Sequence, residues 1–183
     1  MATLFVDKID PQSGTSLEIG SSGDTITTAT GAKPSFLYPA FEAYLSANQS
    51  ISDNTITKIE FNTEDFDTDN TYDNSTNYRF TPNVSGKYFV YARGRGQVGN
   101  NTQLKTFEMY VYKNGAVYSR KGVLFDTNYE RYASHTLTNV IDMNGTTDYI
   151  EIYGRVDAND DAGTEIIGSS ERYTLFGAYR IGT

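Results

Sequence analysis

A regular alternation of apolar and polar residues in the middle of the chain predicts a β-hairpin. Over residues 107–112, Phe, Met and Val alternate with Glu, Tyr and Tyr, which places the two sets on opposite faces of a strand. Residues 113–116 read Lys-Asn-Gly-Ala, and an Asn-Gly pair tolerates the positive φ angles of a type I′ turn. We therefore expect the chain to turn back and form a second strand through residues 117 and 118.

Similar patterns continue on both sides of this hairpin. From residue 36 onward, short runs rich in β-branched and aromatic residues are separated by turn residues roughly every 8 to 15 positions, a spacing typical of sandwiches and barrels. In residues 149–155, which follow a second Asn-Gly pair, Ile150 and Ile152 alternate with polar or aromatic residues. The other strand candidates are residues 41–47, 57–61, 78–81, 87–93, 134–143 and 173–181. We therefore predict an all-β fold of about ten antiparallel strands in two sheets.

The composition argues against several classes of function. Among 183 residues, 15 Lys and Arg stand against 23 Asp and Glu, and the resulting formal charge of −8 disfavours nucleic acid and anionic membranes as partners. The sequence contains no Cys, which excludes disulfides, thiolate zinc sites and cysteine nucleophiles. No apolar run has the length of a membrane span or the pattern of a secretory signal. We therefore expect neither a membrane span nor a secretory signal. We also expect no cofactor.

The single histidine, His135, gives no basis for a histidine metal cluster. A catalytic triad needs only one imidazole, but no nucleophile motif accompanies His135. Ser134 and Thr136 flank it at the start of a strand candidate. We therefore expect His135 to be an ordinary residue on the face of a strand.

The densest group of carboxylates lies in residues 64–73. Four aspartates match positions 1, 3, 5 and 9 of a calcium-binding loop, namely Asp65, Asp67, Asp69 and Asp73. The match fails at position 6, which is Asn70 instead of Gly, and at position 12, which is Thr76 instead of Glu. We therefore expect a solvated acidic loop without a metal, with these four aspartates as the calcium candidates.

Two further polar segments are expected to be turns. The residues Gly94-Arg95-Gly96 resemble a loop and carry too little basic charge to bind nucleic acid. A second acidic turn is expected around residues 157–163, where the carboxylates are Asp157, Asp160 and Asp161. We expect no metal there, for the same reason as at the first acidic segment.

The order of motifs from about residue 36 to residue 182 resembles the C1q-like globular domain. The matching stretches are FEAY at 41–44, IEFN at 59–62, YD at 72–73, YRFTP at 78–82 and VSGKYF at 84–89. The stretch VYKNG at 111–115 resembles the hairpin of that family, and TLFGAY at 174–179 resembles its closing strand, which tumour necrosis factor relatives share. The resemblance implies a jelly roll of about ten strands that forms homotrimers.

The residues at the matched positions are of types that stabilise the fold, and none of them is catalytic. Gly86 falls at a turn between two strands, where freedom in φ is needed. We expect Phe61, Phe80 and Phe89 to supply large apolar areas to the core.

Residues 1–33 differ from this domain, which spans residues 34–183. Their apolar residues are isolated or paired between glycines, so the segment cannot build a core alone. The stretches FVDKID at 5–10, SGTSLEIG at 13–20 and DTIT at 24–27 resemble leader segments of tail-fibre and virion-surface proteins of tailed bacteriophages. We therefore expect an arm that docks on a virion partner through Leu4, Phe5, Val6, Ile9, Leu17 and Ile19.

The combined hypothesis is a non-enzymatic virion surface protein, made in the host cytoplasm. It would be a trimeric capsid decoration or head-fibre protein, held on the phage capsid or tail by its arm. The alternatives are a tail-fibre or receptor-binding tip that binds a host surface glycan or protein, and a cellular extracellular C1q-like binding module. Five tyrosines are expected to face a neighbouring subunit or a ligand: Tyr110, Tyr112, Tyr118, Tyr149 and Tyr153.

Overall fold

The computed structural model describes residues 39–99, 103–127, 129–159 and 163–182, together with Ile9, Ser22 and Gly23. In chain order the strands of these residues are β1 (Ala40–Tyr44), β2 (Gln49–Ile51), β3 (Thr57–Lys58), β4 (Thr63–Asp67), β5 (Tyr72–Asp73), β6 (Arg79–Phe80), β7 (Gly86–Val98), β8 (Leu104–Lys113), β9 (Ala116–Leu124), β10 (Tyr132–Met143), β11 (Ile150–Ala158), β12 (Thr164–Ile166) and β13 (Leu175–Gly182). In the part of the chain that the structure describes, no helix is long and apolar enough to cross a membrane.

The predicted arm falls almost entirely outside the described residues. Ile9 is described, and its side chain is exposed. The other expected docking residues, Leu4, Phe5, Val6, Leu17 and Ile19, lie outside the described residues. Docking of the arm therefore stays a prediction.

The strands form two antiparallel sheets, which confirms the predicted all-β sandwich. In the seven-stranded sheet, β7 pairs on one side with β10 and on the other side with both β13 and β12. Strands β1 and β4 follow beyond β13, and β2 follows beyond β12. The six-stranded sheet has the order β5-β6-β11-β8-β9, with β3 also paired to β11. The edge strands β9 and β10 lie beside each other, since the Ser119 hydroxyl donates to Asn139 Oδ1 at 2.8 Å.

A cluster of aromatic rings fills the core between the sheets. The Phe41 ring stacks on Tyr72 at a centroid distance of 4.7 Å and on Phe80 at 4.5 Å, and meets the edge of Phe176 at 4.8 Å. Phe61 and Phe80 are fully buried, as predicted. Because each ring buries a large apolar area, the cluster joins β1, β5, β6 and β13 into one core.

The prediction that Phe89 belongs to this core is wrong. Tyr88, Val90 and Ala92, the alternate residues of β7 around Phe89, face the core. Side chains alternate along a strand, so Phe89 lies on the outer face of the seven-stranded sheet. Its ring packs there on Tyr179 at a centroid distance of 5.4 Å.

The predicted hairpin at the centre of the chain is confirmed. The core-facing residues of β8 are Phe107, Met109 and Val111, and all three are buried. Asn114 and Gly115 have φ angles of 53° and 77°, the positive values that a type I′ turn requires. The chain then returns as β9, which pairs with β8.

The prediction of a loop at Gly94-Arg95-Gly96 is wrong, because all three residues lie within β7. Both glycines face the opposite sheet. A Cβ atom on Gly96 would lie 2.3 Å from the Phe107 ring, and one on Gly94 would lie 2.9 Å from the Met109 sulfur. Glycine is therefore needed here so that these two side chains can pack against the backbone of β7.

The acidic segment 64–73 is also more regular than predicted. Residues Thr63–Asp67 form β4 and residues Tyr72–Asp73 form β5, so only residues 68–71 connect two strands. The polar sequence of β4 suits an edge strand, whose side chains are mostly exposed. The short strands β2 and β12 were not predicted, and β7 is longer than the predicted 87–93.

Candidate functional site: the outer faces of the two sheets

One half of the outer face of the seven-stranded sheet carries an apolar surface, which we call the aromatic patch and define as Phe89, Tyr91, Val140 and Tyr179. Register places Val140 and Tyr179 on either side of Phe89. Val140 is 50% exposed and Tyr179 is 37% exposed. The Tyr91 ring covers Gly177, where a Cβ atom would lie 2.4 Å from the ring. Apolar side chains of neighbouring strands thus form one continuous surface, open to solvent at Val140 and Tyr179 and partly covered at Phe89 and Tyr91.

The other half of the same face contains a cavity of about 410 Å³, which we call the arginine pocket. Its lining side chains include Arg93, Arg95, Ser134, Thr136, Glu171 and Tyr173. Strands β7 and β10 supply the first four, and the segment before β13 supplies the last two. Two guanidinium groups therefore share one open cavity in a chain whose net charge is −8.

Arg172 anchors the segment that forms one wall of this pocket. Its guanidinium donates to both carboxylate oxygens of Asp65, at 2.6 and 2.5 Å, and lies 5.2 Å from the Tyr44 ring centroid. Its carbonyl oxygen accepts two hydrogen bonds from the Arg93 guanidinium. Arg172 has a φ of 56°, a left-handed conformation that is unusual for a long side chain. These contacts fix the segment against β4, β1 and β7.

Four of the five predicted tyrosines lie on or beside the outer face of the six-stranded sheet, where they contact charged residues or other tyrosines of the same chain. Tyr110 is only 3% exposed, and its hydroxyl donates to Glu108. Burial, followed by this hydrogen bond to Glu108, raises the pKa of Tyr110 to about 12. The Arg155 guanidinium lies 2.9 Å from the Glu108 carboxylate. Tyr110 is therefore packed and hydrogen-bonded within the subunit.

Tyr112, Tyr149 and Tyr153 extend this network. The Tyr112 and Tyr153 ring centroids are 4.2 Å apart, and the Tyr153 hydroxyl donates to Glu151 at 3.3 Å. Burial, then the Glu151 charge, raises the pKa of Tyr153 to about 12. The Arg79 guanidinium lies 4.6 Å from the Tyr149 ring centroid. Contact of these rings with a subunit or ligand stays a prediction.

The fifth tyrosine, Tyr118, lies in the edge strand β9 and is 48% exposed. Its hydroxyl donates to the Val140 carbonyl oxygen of β10 at 3.2 Å. Tyr118 thereby joins the edges of the two sheets next to the aromatic patch. Val117, which is 51% exposed, lies opposite Tyr112 on the outer face of the six-stranded sheet.

The calcium candidates do not converge on one point. Asp65 pairs with Arg172, and this hydrogen bond holds the pKa of Asp65 below its usual value. Asp67 accepts the Tyr72 N–H at 2.7 Å. Asp73 accepts several N–H groups of its own turn, first that of Thr76 at 2.9 Å, and they lower its pKa strongly. Among the described residues, no group of three or more acidic or histidine side chains could hold a metal ion.

The second acidic segment is only partly described. Asp157 lies in β11, is buried and pairs with the Lys105 ammonium at 3.5 Å. It is therefore part of a strand and not of a turn. Asp160 and Asp161 lie outside the described residues.

His135 lies in β10 and stacks on Phe107, with ring centroids 5.4 Å apart and planes 4° apart. Its Nε2 atom is buried and has no hydrogen-bond partner in the part of the chain that is described. Burial lowers the pKa of His135, and the nearby Lys121 ammonium lowers it further against a raising hydrogen bond to the Phe107 backbone. The imidazole therefore behaves mainly as a flat apolar ring between the two sheets, packed on Phe107 of β8.

Sequence reasoning missed the aromatic patch and the arginine pocket. A signal for the patch exists in residues 87–93, because strict alternation places Phe89, Tyr91 and Arg93 opposite the core residues. The pocket leaves no such signal, since Arg95 and Tyr173 are far apart in the sequence and are brought together by the fold.

No protein-family model matches this chain, and the search of curated proteins gives no significant match. Several solved structures are similar. The Eiger TNF of S. frugiperda has a TM-score of 0.55 at 8% identity, over 80% of this chain and 94% of that one. The globular domain of zebrafish complement 1qA has a TM-score of 0.52 at 14% identity, covering 78% and 97%. Murine APRIL has a TM-score of 0.54 at 15% identity, covering 78% and 99%. The described strands therefore have the C1q/TNF-like jelly-roll fold that the sequence motifs predicted.

Proposed function

We propose that this protein is a non-enzymatic, homotrimeric surface protein of a tailed-bacteriophage virion, which decorates the capsid or forms a short head fibre. The jelly roll is the exposed, trimeric part, and residues 1–33 attach it to the particle. The aromatic patch is the observation that supports the proposal best, because it gives the subunit a surface that suits a neighbouring copy.

Trimerisation is supported by the position and composition of the exposed apolar groups. They lie on the face of the seven-stranded sheet at Val140 and Tyr179, on either side of Phe89, and at its edge at Tyr118. In a cyclic trimer each subunit uses two different surfaces, so a face on one copy can meet an edge on the next. C1q-like and TNF folds associate as homotrimers, and this arrangement of a face beside an edge suits such a ring.

A non-enzymatic role is supported by the way the carboxylates are used. Glu108 and Glu151 bond to tyrosines and cations of the same sheet, and Asp65 and Asp73 hold local structure. These carboxylates already have partners, which favours a role in stability over one in acid–base catalysis. The virion assignment is supported by the resemblance of residues 5–27 to phage leader segments.

The trimer is tested by light scattering of the full chain. We expect wild type to have the mass of three subunits, and Phe89→Asp to have the mass of one, because a charge in the patch opposes burial between copies. Ile56→Asp, at an exposed apolar position outside the patch, is the matched control and should stay trimeric. A monomeric wild type, or a trimeric Phe89→Asp variant, would contradict the proposed interface.

The virion assignment is tested on purified particles that carry a label at residue 183. Electron microscopy should show label over the capsid, and deletion of residues 1–33 should leave a folded trimer that no longer incorporates. Label confined to the tail would instead support a tail-fibre or receptor-binding tip. Particles without label would contradict any virion role. Continued incorporation of the deletion variant would place attachment in the jelly roll.

A further inference from the structure

We propose that the arginine pocket binds the carboxylate of an acidic monosaccharide, of the uronic-acid class. This site is separate from the tyrosines of the six-stranded sheet and from the aromatic patch. All of its lining residues come from one subunit, so the inference does not depend on the proposed trimer.

The Arg95 side chain is preorganised to bind an anion. Its guanidinium carbon lies 4.0 Å from the Tyr173 ring centroid and 4.8 Å from the Tyr132 ring centroid. Contact with two rings restricts the long side chain, so less conformational entropy is lost when a ligand binds. Its Nε atom is 3.4 Å from the Ser134 hydroxyl, a weak contact that uses only one edge of the guanidinium. A planar guanidinium suits a carboxylate because it can donate two parallel hydrogen bonds.

Arg93 provides a second positive charge on the same face of β7, two residues away. Its Nε and Nη2 atoms donate to the Arg172 carbonyl oxygen, which fixes the guanidinium in the wall of the pocket. The Asp65–Arg172 pair in turn holds that wall against β4. The cavity is therefore largely preformed, as small-molecule sites usually are.

The remaining lining groups favour a sugar over a simple anion. Ser134 and Thr136 are exposed hydroxyls on the outer face of β10, and Glu171 lies at the opposite wall. Hydroxyls can donate to or accept from sugar hydroxyls, and the Glu171 carboxylate accepts from them. The same carboxylate repels a second negative charge, and the net charge of −8 repels polyanions. One carboxylate accompanied by several hydroxyls is the ligand chemistry that meets all of these groups.

The size of the cavity agrees with this class of ligand. At about 410 Å³ it falls at the lower end of the range of small-molecule sites, roughly 300–1,000 Å³. Its open side lets a terminal sugar of a longer glycan enter while the rest of the chain stays in solvent.

The test is a calorimetric or NMR titration of the full chain with D-glucuronic acid, with D-glucose and acetate as probes of the two halves of the ligand. We expect saturable binding of glucuronic acid, and at least about tenfold weaker binding of glucose and of acetate. Arg95→Gln should weaken glucuronic acid binding by about tenfold or more. Arg120→Gln removes the same charge from an exposed position on β9 and should leave binding unchanged.

Thr136→Trp, at an exposed position on β10, is a second variant that fills the cavity without removing charge, and it should also abolish binding. It keeps the test decisive if Arg95→Gln does not fold. The absence of glucuronic acid binding to wild type up to about 20 mM would overturn the inference, as would unchanged binding to both pocket variants. Equal binding of acetate would overturn the sugar assignment, and equal binding of glucose would overturn the carboxylate assignment. We expect monomeric Phe89→Asp to bind glucuronic acid as well as wild type does, which would show that the pocket needs no neighbouring subunit.

Discussion

The two sheets use tyrosine differently on their outer faces. On the six-stranded sheet, Tyr110 and Tyr153 donate to Glu108 and Glu151, and Lys58 and Arg155 balance those carboxylates. On the aromatic patch of the seven-stranded sheet, Phe89 and Tyr179 contact each other and leave apolar area exposed. The strand-face tyrosines of the six-stranded sheet are therefore largely satisfied within the subunit. On the other sheet Tyr91 also donates to Glu42, at 2.7 Å, but Tyr179 and Val140 beside Phe89 leave apolar area available to a partner.

The difference teaches that charged neighbours decide the role of a strand-face aromatic residue. A tyrosine between a carboxylate and a cation has its hydroxyl bonded and its ring covered, so it stabilises its own sheet. An aromatic residue beside another apolar residue retains exposed area, which favours association. Changes on the six-stranded face should therefore alter unfolding, and changes on the aromatic patch should alter assembly.

The largest effect is expected from Lys58→Met, which leaves Glu151 without its cation. Lys58 Nζ lies 2.5 Å from the Glu151 carboxylate, and the Glu151 side chain is only 6% exposed. An unpaired buried carboxylate is costly, so the free energy of unfolding should fall by about 2–3 kcal/mol in urea denaturation. Lys87→Met is the control, because its pair with Asp142 is largely exposed, and it should cost at most about 0.5 kcal/mol. Equal losses would contradict the distinction between the two faces. The double variant Lys58→Met/Glu151→Leu should recover most of the stability.

A smaller effect is expected from removing one stacked ring on each face in a monomeric background, for which Val140→Asp in the aromatic patch keeps the Phe89–Tyr179 contact in place. Tyr153→Leu loses the contact with Tyr112 and the hydrogen bond to Glu151, and should cost about 1–2 kcal/mol of unfolding free energy. Tyr179→Leu removes an exposed ring and should cost about 0.5 kcal/mol or less. Urea denaturation measures both. The reverse order would show that the aromatic patch supports the subunit itself.

Acid should weaken the six-stranded sheet through Asp73, which lies at the end of β5. Backbone N–H groups of its turn lower the folded pKa of Asp73 below the ordinary value of 3.8. Its stabilising contribution is therefore complete above that ordinary value and is lost as pH falls through the folded pKa. Asp73→Asn should lower Tm by a few degrees at pH 7, and the difference from wild type should shrink steadily as pH falls below 3.8, as measured by calorimetry. A constant difference at all pH values would show that charge is not the cause.

The smallest effect is expected from His135→Phe, at the position where β10 packs on Phe107 of β8. Burial lowers the folded pKa of His135 below its ordinary value of 6.5, so the wild type should lose stability as pH falls from that value through the folded pKa. Phenylalanine can stack on Phe107 and has no unpaired nitrogen. We expect Tm at pH 7 to be equal or slightly higher, and its decline between pH 7 and pH 5 to be smaller. An unchanged pH profile would contradict this assignment.

The sequence contained enough information for the core but little for the surfaces. The alternation over 107–112 and the Asn-Gly turn at 114–115 are local signals, and both predicted the observed hairpin. The jelly roll was implied by a resemblance that rests on short local motifs, several of which contain a fully buried residue, such as Phe41 in FEAY and Phe80 in YRFTP. Local chemistry is therefore sufficient where one residue pattern decides one element.

The incorrect predictions arise where a distant residue changes the local preference. Gly96 was predicted to lie in a loop because glycine is common in loops. In the fold it lies in a strand, where the absence of a side chain lets Phe107 of the other sheet pack against the backbone. Strand β4 reads as a solvated loop because its pairing with β1 uses backbone groups and its side chains remain exposed. The proposed role of Arg95 in binding an anion depends on its contacts with the Tyr132 and Tyr173 rings, which only the fold brings to it. None of these three contacts leaves a pattern in the neighbouring sequence.

The position of β13 has a consequence for the synthesis of the chain. Its residues pair with β7 on one side and with β1 on the other, and Ala40 faces Tyr179 across that pairing. The centre of the seven-stranded sheet therefore stays incomplete on the ribosome until β13 has emerged, although the β8–β9 hairpin can form much earlier from local contacts. Contacts between strands so distant in sequence make folding slow. Until β13 arrives, the unpaired edges of β7 and β1 are exposed to other nascent chains, so chaperone protection during synthesis matters more for this protein than for one built from local hairpins.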